Sequence, residues 1–297
     1  MRPAKLAPLA ALSLTLLAGC VAPPAPSPPQ AGEAAMIEAN RRAEANLRNG
    51  DLEGAARQYR EAIRVARSVE DIDGIATNAI NLSIVYQRLG RPDDARASLA
   101  VLLDRSPLAF PPERMAQAAL RRAVLDMDEH HAAGAGEWLD RAAAYCRREC
   151  TVAAAIQNVR GQLALDAGRT DQAAASGKAA LSASRASGDR AETANALRLL
   201  GTVAIRTGDA SAAAAHLGEA LAIDRELGAP RKIYLDLIGL GRASALKGDR
   251  AAARSYYERA RAVSEAARDG GAAAQARALI DALGETAQAG QPSPGVR

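Results

Sequence analysis

Cys146 and Cys150 are the residues best placed for covalent chemistry with each other, because only three residues separate them. In an oxidising compartment, an even pair of thiols near a helix end is a disulfide candidate. The bridge would join the end of one predicted helix to the start of the next and would fix a local turn. Two reduced, partly buried thiols are the alternative. A redox-active pair is disfavoured, because thioredoxin-like motifs place two residues between the cysteines.

His130 and His131 lie beside Asp126, Asp128 and Glu129, a grouping that invites a metal-binding interpretation. Adjacent residues of a helix point about 100° apart, so two neighbouring histidines rarely bind one ion together. We therefore expect an irregular polar turn at this place and no metal site.

Motifs for other chemistry are missing from the sequence. The glycines are spread along the chain rather than grouped in a phosphate-binding loop, and no serine-nucleophile motif or dinucleotide fingerprint is present. We therefore expect neither an enzyme nor a cofactor. The formal charge of +4 comes without a dense basic stripe or aromatic platforms, so no nucleic-acid partner is expected.

The composition indicates the kind of fold that must position these residues. Apolar residues make up 48% of the 297 residues, aromatic residues only 3%, and about a quarter of the chain is alanine. Alanine favours helices that pack closely, whereas sheets rely on β-branched and aromatic side chains. The composition therefore predicts an all-α protein.

Residues 1–19 have the features of a secretory signal peptide. Arg2 and Lys5 precede an apolar stretch, Leu6 to Leu17, that is too short for a permanent membrane span. The stretch ends in Leu-Ala-Gly and Cys20, which resembles the lipobox of bacterial lipoproteins. The resemblance implies that the Cys20 thiol receives a diacylglyceryl group, that the preceding peptide is removed and that the new amine is acylated. An ordinary secretory signal with a chance cysteine is the alternative.

The segment that follows the lipobox predicts how the protein is displayed. Residues 20–32 contain five prolines and no apolar period, which is typical of an extended tether. Val21 stands where inner-membrane lipoproteins carry an aspartate, so the same resemblance implies the periplasmic face of the outer membrane.

Turn residues recur at a nearly constant spacing along the rest of the chain. Glycines separate helix-like segments at intervals of 40, 78, 40 and 40 residues, with His130 at the place of a missing one: Gly50, Gly90, Gly168, Gly208 and Gly248. Small residues lie five after and seven before each turn, and in most repeats a larger residue lies nine after it. This pattern is typical of helical hairpins that bury their apolar faces only when stacked. After the turns, Asp51, Asp209, Asp249 and Thr170 are suited to cap the second helices.

Two of these units carry a recognisable set of residues. The first comprises Leu200-Gly201, Gly208-Asp209, Ala213, Leu217 and Ala220, and the second runs from Leu240-Gly241 to Ala260. Both resemble the tetratricopeptide repeat, in the longer form of about 40 residues rather than 34. The resemblance implies an α-solenoid of about six hairpins over residues 33–286. Residues 271–286 are expected to form a capping helix, and residues 287–297 a disordered tail.

In the family that the sequence resembles, the first helix of each hairpin lines a concave groove. Positions 13, 10, 6 and 2 before each turn should face it, where amides and guanidinium groups can bind a peptide. The candidate partner-binding residues among these positions are Arg88, Asn158, Gln162, Asn195, Arg198, Thr202, Arg206 and Arg242. No asparagine lies six before any turn, so the family's clamp for a C-terminal carboxylate is not expected.

These features together predict a scaffold that binds a periplasmic or outer-membrane protein. By family resemblance, the uses of such a scaffold are pilotin-like assembly of secretins and pili, or adaptors for envelope machinery. A module that recognises polysaccharides or small ligands for an export system is the alternative. It ranks second because sugar sites use aromatic platforms, which are scarce here.

Overall fold

A computed structural model of the protein describes residues 31–104, 106–146 and 150–289. Within these ranges the chain forms thirteen α-helices and no strand. The helices are α1 (Ala31–Arg48), α2 (Leu52–Ser68), α3 (Ile72–Arg88), α4 (Pro92–Leu103), α5 (Pro112–Asp128), α6 (Ala132–Tyr145), α7 (Ala153–Asp166), α8 (Thr170–Ser187), α9 (Arg190–Arg206), α10 (Ala210–Glu226), α11 (Pro230–Leu246), α12 (Arg250–Ala266) and α13 (Gly270–Ala289).

The helices pair into six hairpins, from α1 with α2 to α11 with α12, and α13 packs against α12. The first helices of successive hairpins also pack on one another: α3 on α5, α5 on α7, α7 on α9 and α9 on α11. The odd-numbered helices therefore form an inner layer and the even-numbered helices an outer one. The predicted α-solenoid of six hairpins and a capping helix is confirmed.

Alanine makes this close packing of helices possible. The small residue five after each turn is fully buried in all six hairpins: Ala55, Ala95, Ala135, Ala173, Ala213 and Ala253. These methyl side chains let neighbouring backbones approach closely. In five hairpins the larger residue nine after the turn is buried beside them: Tyr59, Leu99, Leu139, Leu217 and Tyr257. The high alanine content thus builds the core rather than weakening it.

The turn glycines adopt the left-handed backbone that closes a helix. Their φ angles lie between +69° and +80°, and His130 has the same conformation with φ of +62°. A second set of left-handed residues closes the second helices, 20 residues after a first-set turn: Glu70, Gly188, Gly228 and Arg268. Sequence reasoning missed this second set, although Gly188 and Gly228 carry its signal.

Aspartates after the turns cap the helices that follow. Asp51, Asp209 and Asp249 accept hydrogen bonds from backbone N–H groups three residues later, as expected. The expectation that Thr170 caps α8 is wrong. The N-cap there is Arg169, whose side chain forms no capping bond, and Thr170 is the first residue of the helix. The reason is that the turn ends at Gly168, so only the next residue can occupy the cap.

The ends of the solenoid differ slightly from the predicted boundaries. Helix α1 begins at Ala31, inside the predicted tether, and α13 extends to Ala289, three residues into the predicted tail. Alanine and glutamine continue a helix readily, which explains the extension at residues 287–289. The predicted signal peptide, Cys20, residues 20–30 of the tether and the tail from 290 lie outside the described residues.

Candidate functional site

A cavity of about 1010 Å³ opens on the inner layer of the solenoid. Its walls come from α5, α7, α9, α11 and α13, with Leu217 of α10 beneath them. We call this cavity the groove. Its surface is mixed, because apolar side chains such as Leu235, Ile238 and Leu279 alternate with amides and cations. A site of this size and composition is typical of ligand-binding clefts.

Seven of the eight polar residues singled out in the sequence line the groove: Asn158, Gln162, Asn195, Arg198, Thr202, Arg206 and Arg242. Arg88 does not. It is exposed at the end of α3, while the groove begins at α5. The repeat offsets place equivalent residues on the same face of every first helix, but they do not say how far along the solenoid the concavity extends.

Arg198 is held by carboxylates behind the groove wall. Its Nε donates to Asp236 at 2.7 Å, its Nη1 donates to Asn195 Oδ1 at 2.9 Å, and it also pairs with Asp224. Only 12% of the Arg198 side chain is exposed, against 3% for Asp224 and 0% for Asp236. A buried cation between two carboxylates stays bound to them, because separating the charges would leave them buried and unpaired. Arg198 therefore fixes α9 against α10 and α11 rather than offering a free charge to a ligand.

Asp236 has a strongly altered acidity in this cluster. Burial raises its pKa from 3.8 to about 7, Arg198 counteracts the rise, and the hydrogen bond with Asp224 adds to it. The Asp236 carboxyl therefore keeps its proton to a higher pH than an ordinary aspartate does.

Lys232 lies next to this cluster on α11 and lines the groove. Its Nζ donates to Asn195 Oδ1 at 2.9 Å. Burial lowers the pKa of Lys232, and the charge of Arg198 lowers it further. Since the ammonium group has three N–H donors, a bound ligand can accept hydrogen bonds from the remaining ones.

Asn158 has an unsatisfied acceptor within the groove wall. The residue is 8% exposed, and its Nδ2 donates to the carbonyl oxygen of Glu192 at 3.1 Å and to Glu192 Oε2 at 2.7 Å. Its Oδ1 has no hydrogen-bond partner. A buried polar atom without a partner is costly unless a ligand or water supplies one. Oδ1 is itself buried, so a ligand N–H group reaches it only if the wall opens locally.

Two cations lie further along the groove. Arg206 donates to the carbonyl oxygen of Leu165 at 2.7 Å and is otherwise exposed. Arg242 is exposed and makes no hydrogen bond or ion pair with any residue that the structure describes. Gln162 Nε2 donates to Asp166 at 2.7 Å, and the Thr202 hydroxyl donates to the carbonyl oxygen of Arg198. Arg242 is consequently the most available of the predicted cations that line the groove.

Several groove residues were not apparent from the sequence. Glu192 and Lys232 lie near the starts of α9 and α11, outside the four offsets used for prediction. Tyr234 donates through its hydroxyl to Gln275 of α13 at 3.0 Å. Helix α13 occupies the place of a seventh first helix, and that equivalence could have indicated that Gln275, Ala278 and Leu279 close the groove.

The sequence profile of the tetratricopeptide repeat matches residues 33–106 and 152–226, which together make up half of the chain. The chain belongs to the tetratricopeptide repeat family. The groove thus lies on the face of a tetratricopeptide repeat solenoid that its first helices form.

Solved structures share this tetratricopeptide repeat fold at low sequence identity. The signal-transduction ATPase with numerous domains from Pyrococcus horikoshii, which carries a tetratricopeptide repeat sensor, is 15% identical with a TM-score of 0.62; the match covers 85% of this chain and 38% of that one. A Rap protein complexed with competence and sporulation factor is 13% identical with a TM-score of 0.57, over 89% and 78% of the two chains. PilW, a type IV pilus biogenesis factor, is 16% identical with a TM-score of 0.54, over 76% and 92%.

Among curated protein sequences, none is significantly similar to this tetratricopeptide repeat chain. Among its described helices, none combines the length and the apolar character needed to cross a membrane.

The histidine turn of the third tetratricopeptide repeat brings three potential ligands together. Ligand atoms of Asp126, Glu129 and His131 lie within 4.8 Å of one another. Arg96 pairs with both acids, and Arg122 lies 3.2 Å from Asp126. Two guanidinium groups already compensate these carboxylates, so the arrangement is that of a structural ion-pair network. The absence of a metal stays a prediction from the sequence.

Cys146 and Cys150 form a disulfide in the structure, with their Cα atoms 5.2 Å apart. The bridge lies between the end of α6 and the start of α7, where the connection is longer than the regular tetratricopeptide repeat turn. It joins the third hairpin to the fourth beside the groove wall that α7 provides.

Proposed function

We propose that this protein is a lipoprotein of the outer membrane, anchored through Cys20, whose groove binds an extended segment of a protein partner in the periplasm. The observation that carries the binding role is the groove itself, a cavity of about 1010 Å³ along the first helices whose lining alternates apolar side chains with amides and cations. An extended peptide complements such a lining, because its backbone presents an N–H donor and a carbonyl acceptor at almost every residue.

The other groove residues complement the same kind of ligand. The unused N–H donors of Lys232 and the exposed guanidinium of Arg242 need acceptors, which peptide carbonyl groups and acidic side chains supply. Leu235 and Ile238 offer apolar contact between these polar points. An extended peptide with alternating apolar and polar side chains matches this distribution better than a compact, purely polar ligand.

Anchoring through Cys20 rests on the lipobox-like sequence and on the proline-rich segment after it. A lipid anchor restricts the search for a partner to a surface and raises its effective concentration. A scaffold with one lipidated end and one peptide groove is suited to assembling an envelope machine, such as a pilus or secretin. PilW, named as a pilus biogenesis factor, shares the fold with this chain and supports the proposal only to that extent.

The competing function is recognition of polysaccharide or another small ligand for export. One aromatic side chain, Tyr234, does line the groove, but its ring is buried at 7% exposure and its hydroxyl is bound to Gln275. A sugar would have little ring surface to stack on. Binding of a peptide is therefore the better-supported function.

The groove is tested by crosslinking in cells followed by capture and mass spectrometry. We expect Gln162→Ala combined with Arg242→Ala to reduce capture of the main partner at least tenfold, because both side chains are exposed in the groove. Arg250→Ala combined with Arg259→Ala on α12 is the matched control, and it should capture as the wild type does. Equal capture by both double variants would refute the peptide groove, and recovery of only glycan by the wild type would favour the alternative.

The anchor is tested separately from the groove. Mass spectrometry of the mature N-terminus should find an acylated residue 20, and Cys20→Ala should release the protein from the membrane fraction. Cys146→Ser with Cys150→Ser is the control, which should remain acylated and membrane-bound. A mature wild-type protein without acyl groups would refute the anchor and leave the groove result standing.

A further inference from the structure

A second cleft, of about 370 Å³, lies between the second helices α2 and α4, with α3 as its floor. It is distinct from the groove, whose walls are first helices. One side of the cleft is cationic, with Arg60, Arg64 and Arg67. The floor and the opposite side are mostly small or apolar, including Leu82 and Val101.

The charge of this cleft is not compensated from within. No acidic residue lines it, and only Arg64 has an ion-pair partner, the exposed Glu61. The side chains of Arg60 and Arg67 are exposed and form no hydrogen bond or ion pair with the residues that the structure describes. Like charges one or two turns apart on a helix repel one another. A row of arginines beside an apolar floor is thus complementary to an anion attached to hydrocarbon.

The predicted tether ends beside this cationic row. Gly32, near the start of α1, packs on Val69, since a Cβ at Gly32 would lie 2.9 Å from Val69 Cγ1. Val69 follows α2 two residues after Arg67, and 55% of it is exposed. The tether, which spans at most about 35–40 Å, therefore leaves the solenoid at the Arg67 end of the cleft.

We propose that the α2–α4 cleft and the arginine row of α2 bind the phosphate headgroup and upper acyl chain of an anionic phospholipid, in the membrane that holds Cys20. The inference rests on the anchorage proposed above, not on the groove. With α2 and α4 against the lipid, the inner layer and its groove remain accessible to a partner.

The test compares arginine reactivity on two kinds of vesicle. Mature protein is reconstituted in pure phosphatidylcholine or in phosphatidylcholine with phosphatidylglycerol, and arginines are modified with a dicarbonyl reagent and quantified by mass spectrometry. We expect Arg60 and Arg67 to react at least fivefold more slowly on the anionic vesicles. This factor is comparable to the increase in membrane affinity that one basic residue contributes at an anionic surface. Arg250, exposed on α12, is the internal control and should react equally on both.

Three results would overturn the lipid site: equal rates for Arg60 and Arg67 on both vesicles, equal slowing of Arg250, or the same protection from inorganic phosphate on neutral vesicles. The last would identify a site for free anions instead. Arg60→Gln with Arg67→Gln provides a second measurement in full chains that carry Cys20→Ser. The two arginine substitutions should lower, at least fivefold, the additional binding to anionic vesicles compared with neutral ones. Arg250→Gln with Arg259→Gln should leave this additional binding unchanged. If residue 20 proves to be unacylated, only the proposed anchorage is refuted. If the reactivity of Arg60 and Arg67 does not change on anionic vesicles, lipid binding by the cleft is refuted.

Discussion

Gly201 lies directly against Leu217 within the fifth hairpin: a Cβ added to Gly201 would lie 2.5 Å from Leu217 Cγ and 3.0 Å from its Cδ2. Gly241 faces Tyr257 in the same way one repeat later. The glycine seven before a turn therefore provides the space that the large residue nine after the turn fills. Both offsets are visible in the sequence, but their direct contact is a property of the fold.

This contact predicts that Gly201→Ala destabilises the protein. Overpacking a tight contact costs about 1–3 kcal/mol, and the better helix propensity of alanine returns at most about 1 kcal/mol. We expect a net loss of about 1–2 kcal/mol in the free energy of unfolding, measured by urea denaturation. Gly218→Ala is the control, because nothing lies within 4 Å of a Cβ at that position of α10. It should stabilise by up to about 1 kcal/mol, and equal effects of the two substitutions would contradict the packing argument.

The raised pKa of Asp236 predicts a dependence of stability on pH. Because its pKa is about 7 in the folded protein and 3.8 ordinarily, the folded state keeps a proton that the unfolded chain releases between these values. The free energy of unfolding should therefore fall as pH rises from about 4 to 7. Asp236→Asn, which cannot ionise, should remove this part of the dependence. Asp171→Asn, on the surface of α8, should retain it, and parallel pH profiles for wild type and Asp236→Asn would refute the assignment.

The left-handed turn at His130 predicts a stabilising substitution. A non-glycine residue at φ of +62° pays about 1–2 kcal/mol in backbone strain. Glycine avoids this strain, but its greater conformational freedom in the unfolded chain cancels part of the gain in stability. His130→Gly should raise the free energy of unfolding by about 0.5–1 kcal/mol. His131 has φ of −87° at the N-cap of α6, so His131→Gly should bring no such gain. A loss of stability with His130→Gly would show that its side chain makes contacts that outweigh the strain.

The disulfide predicts a modest, measurable contribution to stability. Closing a loop of five residues restricts the unfolded chain by about 2 kcal/mol in the chain-entropy description. Reductant should lower the free energy of unfolding by that amount, and Cys146→Ser with Cys150→Ser should make the protein insensitive to reductant. Thiol titration of the denatured, unreduced protein should find neither cysteine free; two free thiols would refute the bridge.

Much of the fold was predictable because each repeat obeys the same local rules. The turn glycines require a left-handed backbone, the aspartates after them cap helices, and small residues recur where helices touch. Residue type failed as a guide where the repeat keeps its geometry without the expected residue. Glu70 and Arg268 take the left-handed conformation without being glycine, and Arg169 rather than Thr170 occupies the cap of α8. At these positions the regular spacing of the hairpins outweighs the preference of a single residue.

The groove was predictable as a surface but not as a chemical site. The repeat offsets identify which residues face inward, since one helical period governs every first helix. They do not distinguish Arg198, which is held between Asp224 and Asp236, from Arg242, which is free of ion pairs within the described residues. Those two carboxylates come from other helices, so only the stacked hairpins bring them to Arg198.

The sequence by itself determined the class of the fold, the number of hairpins and the face that the first helices form, because all three follow from local periodicity. Only the tertiary structure decided which inward residues are available, how Asn158 comes to have an unpartnered oxygen, and that Gly32 meets Val69 beside the arginines of α2. These features depend on contacts between residues far apart in the chain, whose partners the repeat pattern cannot specify.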